Sequence, residues 1–128
     1  MTNLADQKCY CDTGLLYEEC CGIYHNNFNA PSALVLMRSR YSAYVLQLAD
    51  YLIQTTHSSE RHLYSKAAIL EWAKTSKWEG LEIIGFTENT VEFKAFYKDF
   101  NNQLHIHHEF SNFEKVDKKW FYVDGIFK

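Results

Sequence analysis

Trp78-Glu79-Gly80-Leu81-Glu82-Ile83-Ile84-Gly85-Phe86 is the stretch at which the chain changes texture. Before it, apolar residues recur at three- and four-residue steps. From it onward they come in short β-branched and aromatic runs separated by turn residues. Residues 81–86, 90–97, 104–113 and 120–127 read as four strands. Between them lie Thr87-Glu88-Asn89, Asp99-Phe100-Asn101-Asn102 and Asp117-Lys118-Lys119, all rich in turn formers. Helical pattern first, then consecutive hairpin-linked strands, predicts an α+β fold with an antiparallel sheet curling over a helical layer.

Upstream, Leu34, Met37, Tyr41, Tyr44, Leu48 and Tyr51/Leu52 form one apolar face. They predict a single long amphipathic helix over residues 31–55, with the only proline, Pro31, in its first turn. The capping-rich Thr55-Thr56-His57-Ser58-Ser59 closes it. A second helix is expected over residues 63–75, with Leu63, Ala67, Leu70 and Ala73 in register.

All four cysteines fall near the start, as Cys9-Tyr10-Cys11 and Cys20-Cys21, with an eight-residue loop between the pairs. That spacing lets the chain return and close a tetrahedron of sulfur around one ion. Thiolate suits zinc, and a closed four-sulfur site needs no open coordination position, so one structural Zn2+ is the expected occupant. His25 is an alternative fourth ligand in place of Cys20 or Cys21. Disulfides, a redox pair or plain thiols are the competing readings. A short segment with no core of its own draws its folding energy from such a metal.

The 128 residues are 47% apolar and 16% aromatic, enough for one ordinary domain with a small appendage. The longest apolar runs are only a few residues, too short to cross a bilayer, and the first eight residues lack the pattern of a secretion signal. A cytoplasmic location is expected, where reduced thiols favour metal over disulfide. Residues 1–25 set Lys8 against Asp6, Asp12, Glu18 and Glu19, whereas the rest of the chain is balanced. Four thiolates on a divalent ion would add to that negative charge. Nucleic acid is therefore not an expected partner.

Taken together, these strings resemble the YchJ-like family of small bacterial proteins of unassigned activity. Cys9, Cys11, Cys20 and Cys21, with Gly14, Tyr17 and Gly22, resemble the SEC-C zinc motif. Met37-Arg38-Ser39-Arg40-Tyr41-Ser42-Ala43-Tyr44, Asp50-Tyr51-Leu52, His108-Glu109-Phe110-Ser111-Asn112-Phe113 and Trp120-Phe121-Tyr122-Val123-Asp124-Gly125 resemble the family's signature strings. The resemblance implies a SEC-C-like zinc module over residues 1–29. It further implies a nuclear transport factor 2-like cone of helices and curved sheet over residues 30–128. In the SecA-type module that gives the SEC-C motif its name, the knuckle is a protein-docking element. An adaptor role follows as an expectation, with Leu15, Leu16, Tyr17 and Ile23 facing a partner. The acidic Asp12, Glu18 and Glu19 would favour a basic patch on that partner.

The cone also offers a cavity, and with it the alternative of small-molecule binding or acid/base catalysis. Arg38, Tyr41, His108, Glu109 and Trp120 are the candidate cavity residues. Alternation along Leu104–Phe110 puts Leu104, Ile106, His108 and Phe110 inward and leaves His105, His107 and Glu109 on a solvated face. His108 would then be the acid or base, and Arg38 or Arg40 an anion clamp. The competing structural reading pairs one arginine with Glu109 or Asp124 as a buried ion pair. No nucleophile elbow, phosphate-cradling glycine loop or metalloprotease helix is present in the sequence.

Overall fold

The computed structural model describes residues 7–128. Residues 1–6, which the sequence reading includes in the cysteine module, lie outside the described residues. Four helices precede four strands: α1 (Cys21–Asn27), α2 (Ala33–Val45), α3 (Ala49–Gln54), α4 (Lys66–Thr75), β1 (Lys77–Phe86), β2 (Thr90–Lys98), β3 (Leu104–Val116) and β4 (Lys119–Phe127). The strands form one antiparallel sheet in the order β1-β2-β3-β4, so the expected α+β architecture is what the chain adopts.

The helices start where side chains cap them. Ser32 Oγ accepts the Val35 amide at 3.1 Å and Ser65 Oγ accepts that of Ala68 at 3.0 Å. Pro31 thus sits just before the cap and not in the first turn. The predicted single helix is two, α2 and α3. The break is a Schellman closure: Leu48 N donates to Ala43 O at 2.8 Å and Gln47 N to Tyr44 O at 3.2 Å, with Gln47 at φ 61°. Glycine normally takes that left-handed position, so composition carried no stop signal. The apolar repeat runs on through the half-buried Leu48, which explains the merged reading.

α2 is buried on most of its surface, Ser39 and Ser42 included, and touches α1 on one side and the sheet on the other. It is a central helix and not an amphipathic surface one. Leu63, expected on the core face of the second helix, is 65% exposed in a 3-10 turn at Arg61–Leu63. α4 buries Ile69 and Ala73 instead.

The sheet curves because register shifts interrupt β1 at Trp78/Gly80 and Ile83/Gly85, and β3 at Asn112/Phe113. Asp117 and Lys118, both at positive φ, make the tight hairpin between β3 and β4. Leu81, Val91, Phe93, Ala95 and Phe113 on the concave face pack with Leu36, Met37, Tyr41 and Leu52. The same apolar cluster continues into Cys9, Cys11 and Cys21. No helix is long and apolar enough to cross a membrane among the described residues.

Candidate metal centre and cavity

The loop between the cysteine pairs folds back on itself. Cys9 N donates to Leu15 O at 2.8 Å, Tyr17 N to Gln7 O at 2.7 Å, and Lys8 bridges Leu16 in antiparallel fashion. Asp12 and Gly14 supply the left-handed backbone that this reversal needs, at φ 68° and 83°. A 3-10 turn at Tyr17–Glu19 then delivers Cys20, and Cys21 opens α1.

The four sulfurs come within 4.8 Å of one another, with Cys11 and Cys20 at 3.5 Å. A tetrahedron of Zn–S bonds of about 2.3 Å has edges of about 3.8 Å, so the donor set and its spacing fit one such ion. Ser42, fully buried on α2, lies 3.5 Å from Cys9 Sγ and 3.4 Å from Cys21 Sγ, and Thr13 Oγ1 lies 3.2 Å from Cys20 Sγ. These hydroxyls are placed to steady thiolates from outside the ligand set. Hydrogen bonding from Cys11 and Cys21 holds the Cys9 thiol far below its usual range. Cys11, lowered by Cys21 but raised more by Cys9 and burial, is pushed up to about 11, and the Cys21 thiol is driven up, chiefly by Cys11. Four crowded sulfurs cannot all ionise without a cation among them.

His25 is engaged elsewhere. Its Nε2 donates to Ser39 O at 2.8 Å, so Nδ1 accepts from Tyr17 OH at 2.6 Å. Burial pushes its pKa down, which keeps the ring neutral. The ring thus bridges Tyr17 of the knuckle, through Nδ1, to Ser39 of α2, through Nε2. Arg38 does the same work, and this corrects its expected place in the cavity. Its Nη1 donates to Cys11 O at 2.6 Å, so the guanidinium faces the knuckle.

A cavity of about 170 Å³ lies between α2, α4 and the concave sheet face. Its walls are aromatic, among them Tyr41, Tyr44, Trp72, Trp78, Phe93 and Phe127. Its polar lining comes from Arg40, His107, Glu109, Ser111 and Tyr122. Of the expected cavity residues, Tyr41 and Glu109 line it, whereas Arg38, His108 and Trp120 do not. Trp120 instead pairs with Lys115 across the β3–β4 hairpin, at its turn end.

The strand face is inverted relative to the expectation. Leu104 and Ile106 point outward, 60% and 54% exposed, and His108 binds Glu92 at 2.7 Å on that outer side. The inward set is His107, Glu109, Ser111 and Phe113, opposite Ala95, Phe93 and Val91 of β2. The physical reason is that Glu109 finds enough donors inside to be buried. Its Oε1 accepts from His107 Nε2 at 2.8 Å, and its Oε2 accepts from Ser111 Oγ at 2.6 Å and Tyr122 OH at 2.7 Å. Burial alone would raise the Glu109 carboxyl, but these donors outweigh it and hold the pKa below the usual carboxylate value. Burial and the neighbouring carboxylate push Tyr122 up, so it stays protonated and donates. Gly125, paired with Ser111, leaves the room: a Cβ there would overlap the Glu109 carboxylate. Phe113 shares this parity, but in the sequence Leu104, Ile106 and Phe110 on the other face outweigh it.

Arg40 is 8% exposed and makes no ion pair among the described residues, which corrects the expected buried pair with Glu109 or Asp124. Its Nη1 donates to Leu52 O at 2.8 Å and Thr55 Oγ1 at 2.7 Å, and its guanidinium carbon stands 4.6 Å from the Tyr122 ring centre. Asp124 instead accepts from Asn112 Nδ2 at 2.9 Å. The segment after α3 holds Tyr122 in place from the other side, His57 N donating to Tyr122 O and Tyr122 N to Thr55 O.

Comparison with known proteins agrees with this geometry. The family described as YchJ, middle NTF2-like domain, matches residues 32–125. A UPF0225 protein of Geobacter sulfurreducens is 41% identical over 98% of this chain and 80% of its own length. One from Actinobacillus succinogenes is 40% identical over 91% of this chain and 80% of its own. A SEC-C motif-containing protein from Rhodopseudomonas palustris superposes with a TM-score of 0.84 at 32% identity, covering 94% of this chain and 98% of that one. A second, from Psychrobacter arcticus, gives 0.79 at 32% identity over 94% and 82%.

Proposed function

This chain belongs to the YchJ family, and from that premise we propose that it binds a small, largely apolar ligand in the cavity of its cone, with one zinc ion as a structural staple. The carrying observation is the aromatic cavity with a buried carboxylate and a buried guanidinium in its lining. Apolar walls with a few convergent polar groups are the usual make-up of a ligand site. Zinc in the knuckle would cross-link the chain, since four sulfurs complete its coordination shell. Cys9, Cys11, Cys20 and Cys21 would hold it, and Arg38, His25 and Ser42 join the knuckle to α2. A thiolate staple of this kind suits the reducing cytoplasm.

The test is a screen of single-ring compounds against the purified chain, followed by the fluorescence of Trp72 and Trp78 in the cavity wall. Binding is expected for the native chain and its loss for Ala95→Phe, which fills the cavity from β2. Equal binding by that variant while it remains folded would overturn the reading. Elemental analysis is expected to give one zinc per chain.

A second reading, a docking module, has its own supporting observation. Leu15, Leu16 and Ile23 are 50%, 37% and 42% exposed on the knuckle, beside exposed Asp12, Glu18 and Glu19. A protein with a basic patch is the partner chemistry that surface suits. Loss of a co-purifying basic protein on Leu15→Ser with Ile23→Ser would support it, and unchanged co-purification would count against it.

A further inference from the structure

The polar lining of the cavity is organised asymmetrically. Glu109 is ionised and accepts only, so His107 Nε2 carries the proton of their 2.8 Å hydrogen bond. The other ring nitrogen, Nδ1, makes no hydrogen bond among the described residues. A carboxylate that accepts from one imidazole nitrogen orients the ring and leaves the lone pair on the other nitrogen. Trp72, Phe93 and Phe127 enclose the ring at centroid distances of 5.7, 6.0 and 5.1 Å. His107 is therefore held as a base in an aromatic wall.

Arg40 lines the same space, and no carboxylate neutralises it. Its partners are a carbonyl, hydroxyls and the Tyr122 ring. A buried guanidinium without a counter-ion favours a negative charge arriving beside it. The size of the space limits the guest: a cavity of about 150 Å³ takes one benzene ring, and this one is about 170 Å³.

We propose that the cavity takes a single-ring phenol or enol and ionises it, with His107 Nδ1 accepting the hydroxyl proton and Arg40 facing the resulting oxyanion. This rests on the ligand-binding reading above. In the step the O–H bond breaks, its electron pair stays on oxygen, and an N–H bond forms at Nδ1. The imidazolium is balanced by Glu109 and the oxyanion by Arg40. The reverse transfer restores the neutral ligand, so no co-reactant is consumed.

The probe is 4-nitrophenol, whose ionised form absorbs visible light and whose neutral form does not. At a pH where the free probe is mostly neutral, binding is expected to quench Trp72 and Trp78 fluorescence. The ionised-to-neutral ratio of the bound probe should rise roughly tenfold over the free one. Nitrogen NMR of the native complex should show both His107 ring nitrogens protonated, a readout that needs no variant. His107→Asn should still bind, with the ratio back within roughly twofold of the free probe. A bound probe that stays neutral, or a rise that survives in His107→Asn, would overturn the assignment of His107 while leaving ligand binding intact. No fluorescence or NMR response to any single-ring compound would remove both.

Discussion

Tyr122→Phe removes one oxygen and keeps the ring, so it isolates the hydrogen bond that the Tyr122 hydroxyl donates to Glu109 at 2.7 Å. The ring's contacts with the Arg40 guanidinium at 4.6 Å and with Phe113 at 5.7 Å are unaffected by the change. Glu109 is 5% exposed, so water does not readily replace the lost donor. Hydrogen bonds to charged groups are each worth about 1.5–3 kcal/mol, which sets the expected loss of stability. For a chain of this length that corresponds to a melting temperature lower by roughly 6–12 °C. Urea unfolding followed by fluorescence should show a lower midpoint with an unchanged slope.

The pH dependence gives a second, independent signature. The Glu109 carboxyl is depressed in the folded state, so its stabilisation is fully present above its unfolded value of about 4.3. It is lost as pH falls through the lower folded value. Removing one of three donors lets burial pull the folded value upward, so the acid-side loss should begin at a less acidic pH in the variant. A stability change below about 0.5 kcal/mol, with the acid limb unmoved, would refute the account of how Glu109 is buried.

Gly125→Ala should cost about 1–3 kcal/mol by overpacking, because its Cβ overlaps the Glu109 carboxylate; a neutral result in urea unfolding would contradict that contact. His25→Ala should leave zinc at one per chain by elemental analysis while losing about 1–2 kcal/mol, since its ring nitrogens bind Tyr17 and Ser39; a fall in zinc content would make it a ligand. Chelation should expose residues 7–27 to protease while amides of β2 and β3 stay protected from hydrogen exchange; protection of both regions alike would argue against a metal-dependent knuckle.

The parts of the site that were legible in the sequence are those set by short-range spacing. Cys9, Cys11, Cys20 and Cys21 lie within one local reversal, so ligand identity and closeness in sequence nearly coincide with closeness in space. Misread features turn on partners far along the chain. Arg38 and Arg40 are two residues apart on α2, yet one turns to the Cys11 carbonyl and the other to Leu52 and Thr55. Their helical positions alone do not reveal which carbonyls wait on either side. The break at Gln47 was hidden because the apolar repeat continues across it.

From its own pattern the chain settled that helices precede a four-stranded antiparallel meander and that a four-sulfur cluster forms at its start. Periodicity and loop length are local properties, and local hydrogen bonding enforces them. Only the tertiary structure decided which side of β3 faces inward. Leu104, Ile106 and Phe110 make the outward face the more apolar one, so hydrophobicity alone pointed to the wrong side. The choice fell to Glu109, which can be buried only where Tyr122 and Ser111 donate to it, Gly125 makes room and His107 reaches its other oxygen.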